Sequence, residues 1–345
     1  MMKGLIVKKD QLPKLISDLT GRYTVFAPVN RDGVTCFGEV TSADELNLSF
    51  QSKISSKEIL FPRCETLFTY ELSNGNVTLG ETPVKDGEVV LFGAPPCEAR
   101  GFALIDRAFA SGEVQDVPYL KRRGNTIILG KACEHPRSTC FCTSVGGSPF
   151  GREGVDLLLQ DLGSRYLLEA VSDKGENLVA GIQGYNEATR DDFEEARRAG
   201  EVAEESLRTA LSLQGVEEKL EKMFNDPLWD EIYQKCVGCG ACTFLCPTCY
   251  CFDIVDETVG SKGKRIRVWD SCQFNFFTMQ GSGENPRPTG KERMRQRVMH
   301  KFNYYPKNYG AIACVGCGRC VRECPVNLDI REVLKKIVET ESNDK

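Results

Sequence analysis

A chain of 345 residues is long enough for two domains, and a net charge of −5 excludes a nucleic-acid-binding role. Its 41% hydrophobic and 27% charged content is that of globular material with a sizeable core, and no apolar run approaches the roughly 18 residues of a membrane span. Seventeen cysteines against two histidines, with no secretory leader in MMKGLIVKKD, point to reduced thiols in a cytoplasmic chain and leave little scope for histidine catalysis or haem ligation.

Apolar positions at Leu12, Leu15, Ile16 and Leu19 predict a short helix stopped at Gly21, and YTVFAPV and VTCFGEV read as strands. Cys36 and Cys64, isolated in this region, are expected to be small buried hydrophobes. From residue 85 strand and helix alternate. GEVVLFGAP reads as a buried strand, and Ala99, Phe102, Leu104, Ile105, Ala108 and Phe109 mark the helix after it. NTIILGKAC is a second such strand, and GVDLLLQDLG and YLLEAVSDKG continue as helix and strand. The order predicts an α/β domain over residues 1–216 with a largely parallel sheet, whose sites lie at the carboxyl ends of the strands.

Four cysteines occupy those ends. Cys97 opens a helix, Cys133 closes the next strand, and Cys140 and Cys142 follow in CEHPRSTCFCTSVGGSP. By spacing alone the four thiols suit a third iron–sulfur cubane, a zinc site, or a loop of buried free thiols. The helix N-terminus at Cys97 offers its positive dipole end to an anionic group. His135, inside the loop, is expected to be a polar neighbour rather than a ligand.

Residues 187–214 carry a helical stripe of Phe193, Ala196, Ala203, Leu207, Ala210 and Leu211, stopped at Gly215. VEEKLEKMF gives a shorter helix, and Asp226-Pro227 starts a third that leads into Cys236. Residues 217–345 then form a second domain, expected to be mostly α-helical and of dicluster ferredoxin type.

The pattern that organises this domain occurs twice. Residues 236–247 read CVGCGACTFLCP and residues 314–325 read CVGCGRCVRECP, each C-x2-C-x2-C-x3-C-P. Three thiolates from one tight loop reach three irons of a [4Fe–4S] cubane, and the fourth ligand arrives from the other run. Cys236, Cys239 and Cys242 with Cys324 are therefore assigned to one cluster, and Cys314, Cys317 and Cys320 with Cys246 to the other. Paired zinc sites use C-x2-C too, but four cysteines packed so closely and ending in Cys-Pro fit a cubane better.

Cys249, Cys251 and Cys272 remain, without an obvious fourth thiolate for a cluster of their own; they are expected to tune the nearby cubane. Cys242, Cys246 and Cys249 also spell C-x3-C-x2-C, the spacing of radical S-adenosylmethionine enzymes, but two of the three belong to the better motif. GKERMRQRVMHKF reads as a basic helix, either solvated, stabilising reduced clusters, or docking an acidic partner. Asp329 and Glu332 form a capping box for a last helix with a stripe of Ile330, Val333, Leu334, Ile337 and Val338.

The segments PPCEARGFALIDRAF, ACEHPRSTCFCTSVGG, FNDPLWDEIYQKCVGCGACTFLCPTCYCFDI, RVWDSCQF and ERMRQRVMHKF leading to CVGCGRCVRECP together resemble a family of iron–sulfur subunits. Its examples are the beta subunit of soluble sulfhydrogenases and the corresponding iron–sulfur component of anaerobic sulfite reductase. The resemblance spans roughly residues 85–338. It implies a third cluster, placed on Cys97, Cys133, Cys140 and Cys142, and a non-catalytic electron-transfer subunit of a cytoplasmic oxidoreductase complex in an anaerobe. Partners implied are a reductase subunit that binds flavin and NAD(P)H, and a catalytic subunit of hydrogenase, sulfite reductase or heterodisulfide-reductase type. No G-x-G-x-x-G follows a strand in this chain, so no nucleotide or flavin site of its own is expected. The alternative is a self-contained iron–sulfur redox enzyme, or a heterodisulfide-reductase-like subunit, with a cluster-based substrate site.

Overall fold

The computed structural model describes residues 3–49, 51–82, 87–207 and 211–340. The chain begins with β1 (Gly4–Lys8), α1 (Leu12–Thr20), β2 (Thr24–Arg31) and β3 (Val34–Val40), followed by a hairpin of β4 (Cys64–Ser73) and β5 (Asn76–Glu81). Then come β6 (Val89–Ala94), α2 (Pro96–Phe109), α3 (Val117–Gly124), β7 (Thr126–Lys131), β8 (Leu157–Asp161), β9 (Arg165–Ala170), α4 (Asp173–Gly181) and β10 (Asn186–Glu187). Eight of these strands form one sheet in the order β10-β1-β9-β8-β7-β6-β2-β3. Its four central strands β2, β6, β7 and β8 run parallel, and antiparallel strands extend both edges.

Each central strand sends alternate side chains to two apolar layers. Val90, Phe92, Leu157 and Leu159 pack with Leu15, Ile16 and Leu19 of α1 and Leu178 of α4. Leu91, Ile128 and Leu158 pack with Phe102, Ile105 and Phe109 of α2 and Tyr119 of α3. This explains one departure from expectation: GVDLLLQDLG forms strand β8, not a helix. A short apolar run has no periodicity to separate the two, and backbone pairing on both sides decides for the strand.

Helix α5 (Arg190–Glu205) begins with a capping box between Thr189 and Asp192; Ala210 of the expected stripe lies outside the described residues. The remainder comprises α6 (Val216–Lys222), α7 (Leu228–Tyr233), α8 (Ala241–Phe244), β11 (Phe252–Val259), β12 (Lys262–Trp269), α9 (Gly290–Met299), α10 (Tyr305–Tyr309), α11 (Arg319–Arg322) and α12 (Ile330–Glu339). Val216, Leu220, Trp229, Met294, Val298, Phe302, Ile330, Leu334 and Ile337 make its helical core. Between the cysteine runs lies a β-hairpin, β11 and β12, ahead of helices α9 and α10. That hairpin joins the earlier one in a second sheet, β11-β12-β4-β5, so strands from both sides of residue 216 share one set of backbone bonds. Arg267 of β12 ties this sheet to the first half through ion pairs with Glu65 and Asp116. Cys36 is buried as expected, but Cys64 is exposed where the second sheet begins.

Candidate metal centres

The second cysteine run turns through Gly316 and Gly318, both at positive φ, which side chains disfavour. The bend directs the Gly316 N–H at Cys314 Sγ, 3.4 Å away. Helix α11, the next turn, packs against α8 of the first run. Cys246, at the end of α8, thereby joins Cys314, Cys317 and Cys320 around one small enclosed cavity, closed by Phe141, Arg297, Lys301 and Ile330. Burial pushes the thiols of Cys314 and Cys320 up to about 11 and about 12. Hydrogen bonding from Cys249, assisted by Lys301, holds Cys246 well below its ordinary range despite burial.

The first run repeats the geometry. Gly238 and Gly240 have positive φ, and the Gly238 N–H lies 3.4 Å from Cys236 Sγ. Cys242 is half-buried beside Cys236 and Cys272, whereas Cys239 is exposed. Cys324 follows α11, and its Sγ accepts the Leu328 N–H at 3.2 Å.

The four cysteines of the α/β region converge at the carboxyl ends of β6 and β7. Burial, and after it the neighbouring Cys140, pushes the Cys133 thiol up to about 11 and that of Cys142 up to about 12. Cys97 adjoins Cys133 on one side and Cys317 of the second run on the other. The loop carrying Cys140 and Cys142 lies directly on that run. The Phe141 N–H donates to the Gly316 carbonyl at 2.8 Å, and Cys140 Sγ lies 3.7 Å from the Cys317 carbonyl. A Cβ on Gly316 would come within 2.5 Å of the Phe141 and Cys142 backbone, so glycine makes this contact possible. Arg322 and Arg331 fasten the same loop through Thr139 Oγ1 and the Ser138 carbonyl, each at 2.8 Å. His135 is exposed beside Cys133, lining an open cleft with Lys131, Tyr166 and Phe37. His300 is half-buried near Tyr250, and loss of solvent lowers it to about 4, so it stays neutral.

Sequence reasoning left cluster stabilisation as one of three roles for GKERMRQRVMHKF, which carries Arg297 and Lys301, and missed Lys57. Lys57, Arg297 and Lys301 are 2%, 3% and 4% exposed, and among the described residues none has a carboxylate partner. Lys57 donates to the carbonyls of Thr243 and Cys249 and lies over the Trp269 ring. Lys301 Nζ sits 3.5 Å from Cys246 Sγ, 3.0 Å from Thr248 Oγ1 and 2.9 Å from the Ala313 carbonyl. Arg297 Nε has no hydrogen-bond partner, and its guanidinium interacts with Cys242, Cys320, Cys249 and Cys246. Leaving a buried charge uncompensated costs about 3–5 kcal/mol. Three cations gathered around thiols therefore fit a site whose negative charge comes from thiolate-ligated clusters. Backbone N–H groups aimed at Sγ suit the same group. No three His, Cys, Asp or Glu side chains among the described residues stand at the spacing that holds a single metal ion. A faint signal of the buried pair in GKERMRQRVMHKF existed: Arg297 and Lys301 are four apart, on one face with Met294 and Val298.

One further buried charge joins the two halves of the molecule. Glu98 of α2 pairs with Arg319 at 2.5 Å, between Cys317 and Cys320, and takes hydrogen bonds from Ser55 Oγ, Ser56 N and Ser56 Oγ.

Residues 235–328 match the model of a 4Fe-4S dicluster domain family. The chain is 31% identical over 344 residues to sulfhydrogenase 2 subunit beta of Pyrococcus furiosus, covering 98% of this chain and 99% of that protein. No solved structure matches.

Proposed function

We infer the function from one premise: the chain belongs to the family of the sulfhydrogenase beta subunit. It is an iron–sulfur subunit of oxidoreductase type, and no helix among its described residues is long and apolar enough to cross a membrane. We propose that it relays electrons within a cytoplasmic complex of an anaerobe. Electrons pass between a reductase subunit that binds flavin and NAD(P)H, on one side, and a catalytic subunit of hydrogenase or sulfite reductase type on the other.

Two [4Fe–4S] clusters are placed on Cys236, Cys239, Cys242 and Cys324, and on Cys314, Cys317, Cys320 and Cys246. A third is placed on Cys97, Cys133, Cys140 and Cys142. When bound, such clusters supply one-electron redox chemistry at low potential. The protein's part is to set them in series. The observation that carries this reading is contiguity: Cys97 and Cys140 adjoin Cys317 of the second run, and Cys246 adjoins Cys242 of the first. A chain of adjacent thiol sets is a conduit. The buried cations offset the charge each added electron brings.

Iron and acid-labile sulfide analysis of the anaerobically purified full chain tests the placement. About twelve irons per chain support three clusters, about eight leave only the ferredoxin-type pair, and stoichiometric zinc overturns the assignment. Cys140→Ser is expected to lower iron by about four and to remove one signal on reduction.

The cleft beside Cys133 favours one second reading, a redox enzyme with its own substrate site. Turnover of NAD(P)H or of a sulfur substrate by the isolated chain would decide for it.

A further inference from the structure

Twelve cysteines are placed on clusters; of the five that remain, Cys36 and Cys64 stand apart. Cys251 and Cys272 do not. The hairpin of β11 and β12 pairs Phe252 with Trp269, and the Cys251 carbonyl accepts the Asp270 N–H at 3.0 Å. This closes the two ends of the hairpin on each other and sets the Cys251 and Cys272 thiols side by side. The hairpin itself is held by pairing of β12 with β4 and by the Arg267 ion pairs. On its other side Cys272 adjoins Cys242 of the first run, and Gln273 bridges outward, with Nε2 3.6 Å from Cys272 Sγ and Oε1 3.8 Å from Cys236 Sγ.

Two thiols side by side, presented on a paired hairpin beside a cluster loop and required by neither run, have the arrangement of a dithiol couple.

We propose that Cys251 and Cys272 form a reversible dithiol–disulfide couple that exchanges electrons with the dicluster module. The inference rests on the cluster placement above. On oxidation both S–H bonds break, one S–S bond forms, two protons leave to solvent, and two electrons depart, one to each cubane of the module. Reduction reverses every step. The couple would let carriers of single electrons deliver or accept a pair, so a two-electron partner such as a flavin or a hydride donor need not wait on two separate transfers.

The test uses the full cluster-loaded chain, held anaerobically in a series of reduced and oxidised dithiothreitol mixtures. Samples are quenched in acid, unfolded, alkylated with N-ethylmaleimide and mapped by mass spectrometry. Toward the oxidised end, a peptide linking Cys251 to Cys272 is expected, with two fewer alkylated cysteines than the full seventeen. The linkage should vanish in Cys251→Ser and Cys272→Ser and persist in Cys64→Ser. At equal iron content, reductive titration of the oxidised wild type should take two more electron equivalents than that of Cys272→Ser. Seventeen alkylated cysteines at every poise, or equal electron uptake, would overturn the proposal. So would loss of about four irons in both Cys251→Ser and Cys272→Ser, which would make the two residues cluster ligands. Fewer than about eight irons in the wild type would fail the cluster placement instead, and the linkage map, which does not depend on iron, would still decide the thiol pair.

Discussion

Replacing Glu98 by alanine should cut a fully buried ion pair between the α/β region and the second cysteine run. Glu98 is wholly buried and Arg319 is 2% exposed, so water cannot take over for either. Arg319 would keep the Ser52 carbonyl, 3.1 Å from its Nε, but lose its counter-charge. Stranding a buried charge costs about 3–5 kcal/mol, and each orphaned donor among Ser55 Oγ, Ser56 N and Ser56 Oγ adds about 1 kcal/mol where water is excluded. Partial relaxation reduces the sum, so a loss of about 4–6 kcal/mol is expected. The assay is anaerobic urea unfolding followed by circular dichroism, with cluster absorbance as a second probe. Glu98→Gln with Arg319→Met removes both charges and keeps an acceptor for the serines, so it should recover most of the loss. A Glu98→Ala protein within about 1 kcal/mol of wild type, or a double variant no more stable than the single, would refute the reasoning.

Gly316→Ala should push the Cys140–Cys142 loop off the second run, because its Cβ meets the Phe141 and Cys142 backbone at 2.5 Å, and its positive φ strains the second run as well; iron analysis should show the loss of about four to eight irons while the first-run cluster stays. Lys301→Met should lower the potential of the cluster at Cys246 by on the order of 100 mV, since a unit charge about 5 Å away contributes about 3 kcal/mol at an effective dielectric near 20. An anaerobic redox titration followed by electron paramagnetic resonance reads that shift, and an unchanged potential would deny Lys301 any part in setting it. Cys317→Ala should remove the second-run cluster and stop electron flow from a flavin partner; full iron with normal reduction would show the ligand set to be wrong.

The cysteine runs were legible because their constraint is local. Three thiols within seven residues, with glycines between, can arrange themselves around one group in few ways, so the spacing of Cys236, Cys239 and Cys242, or of Cys314, Cys317 and Cys320, is enough to suggest the dicluster domain that residues 235–328 match. The strand and helix order around Cys97 and Cys133 was legible for a similar reason, since an apolar strand followed by an amphipathic helix places its next residue at a predictable edge. The GVDLLLQDLG segment was not, because three leucines in a row suit a buried strand or helix, and neighbouring strands chose. Nor could the sequence reveal which charges the thiols would meet. Lys57 reaches the Cys249 carbonyl across 192 residues, Glu98 lies far in sequence from Arg319, and Cys251 meets Cys272 only because a hairpin folds between them. Spacing settles which atoms share a loop. Charge compensation acts through space, so which cation faces which thiol was decided only when the second sheet and the helical core brought distant segments into one interior.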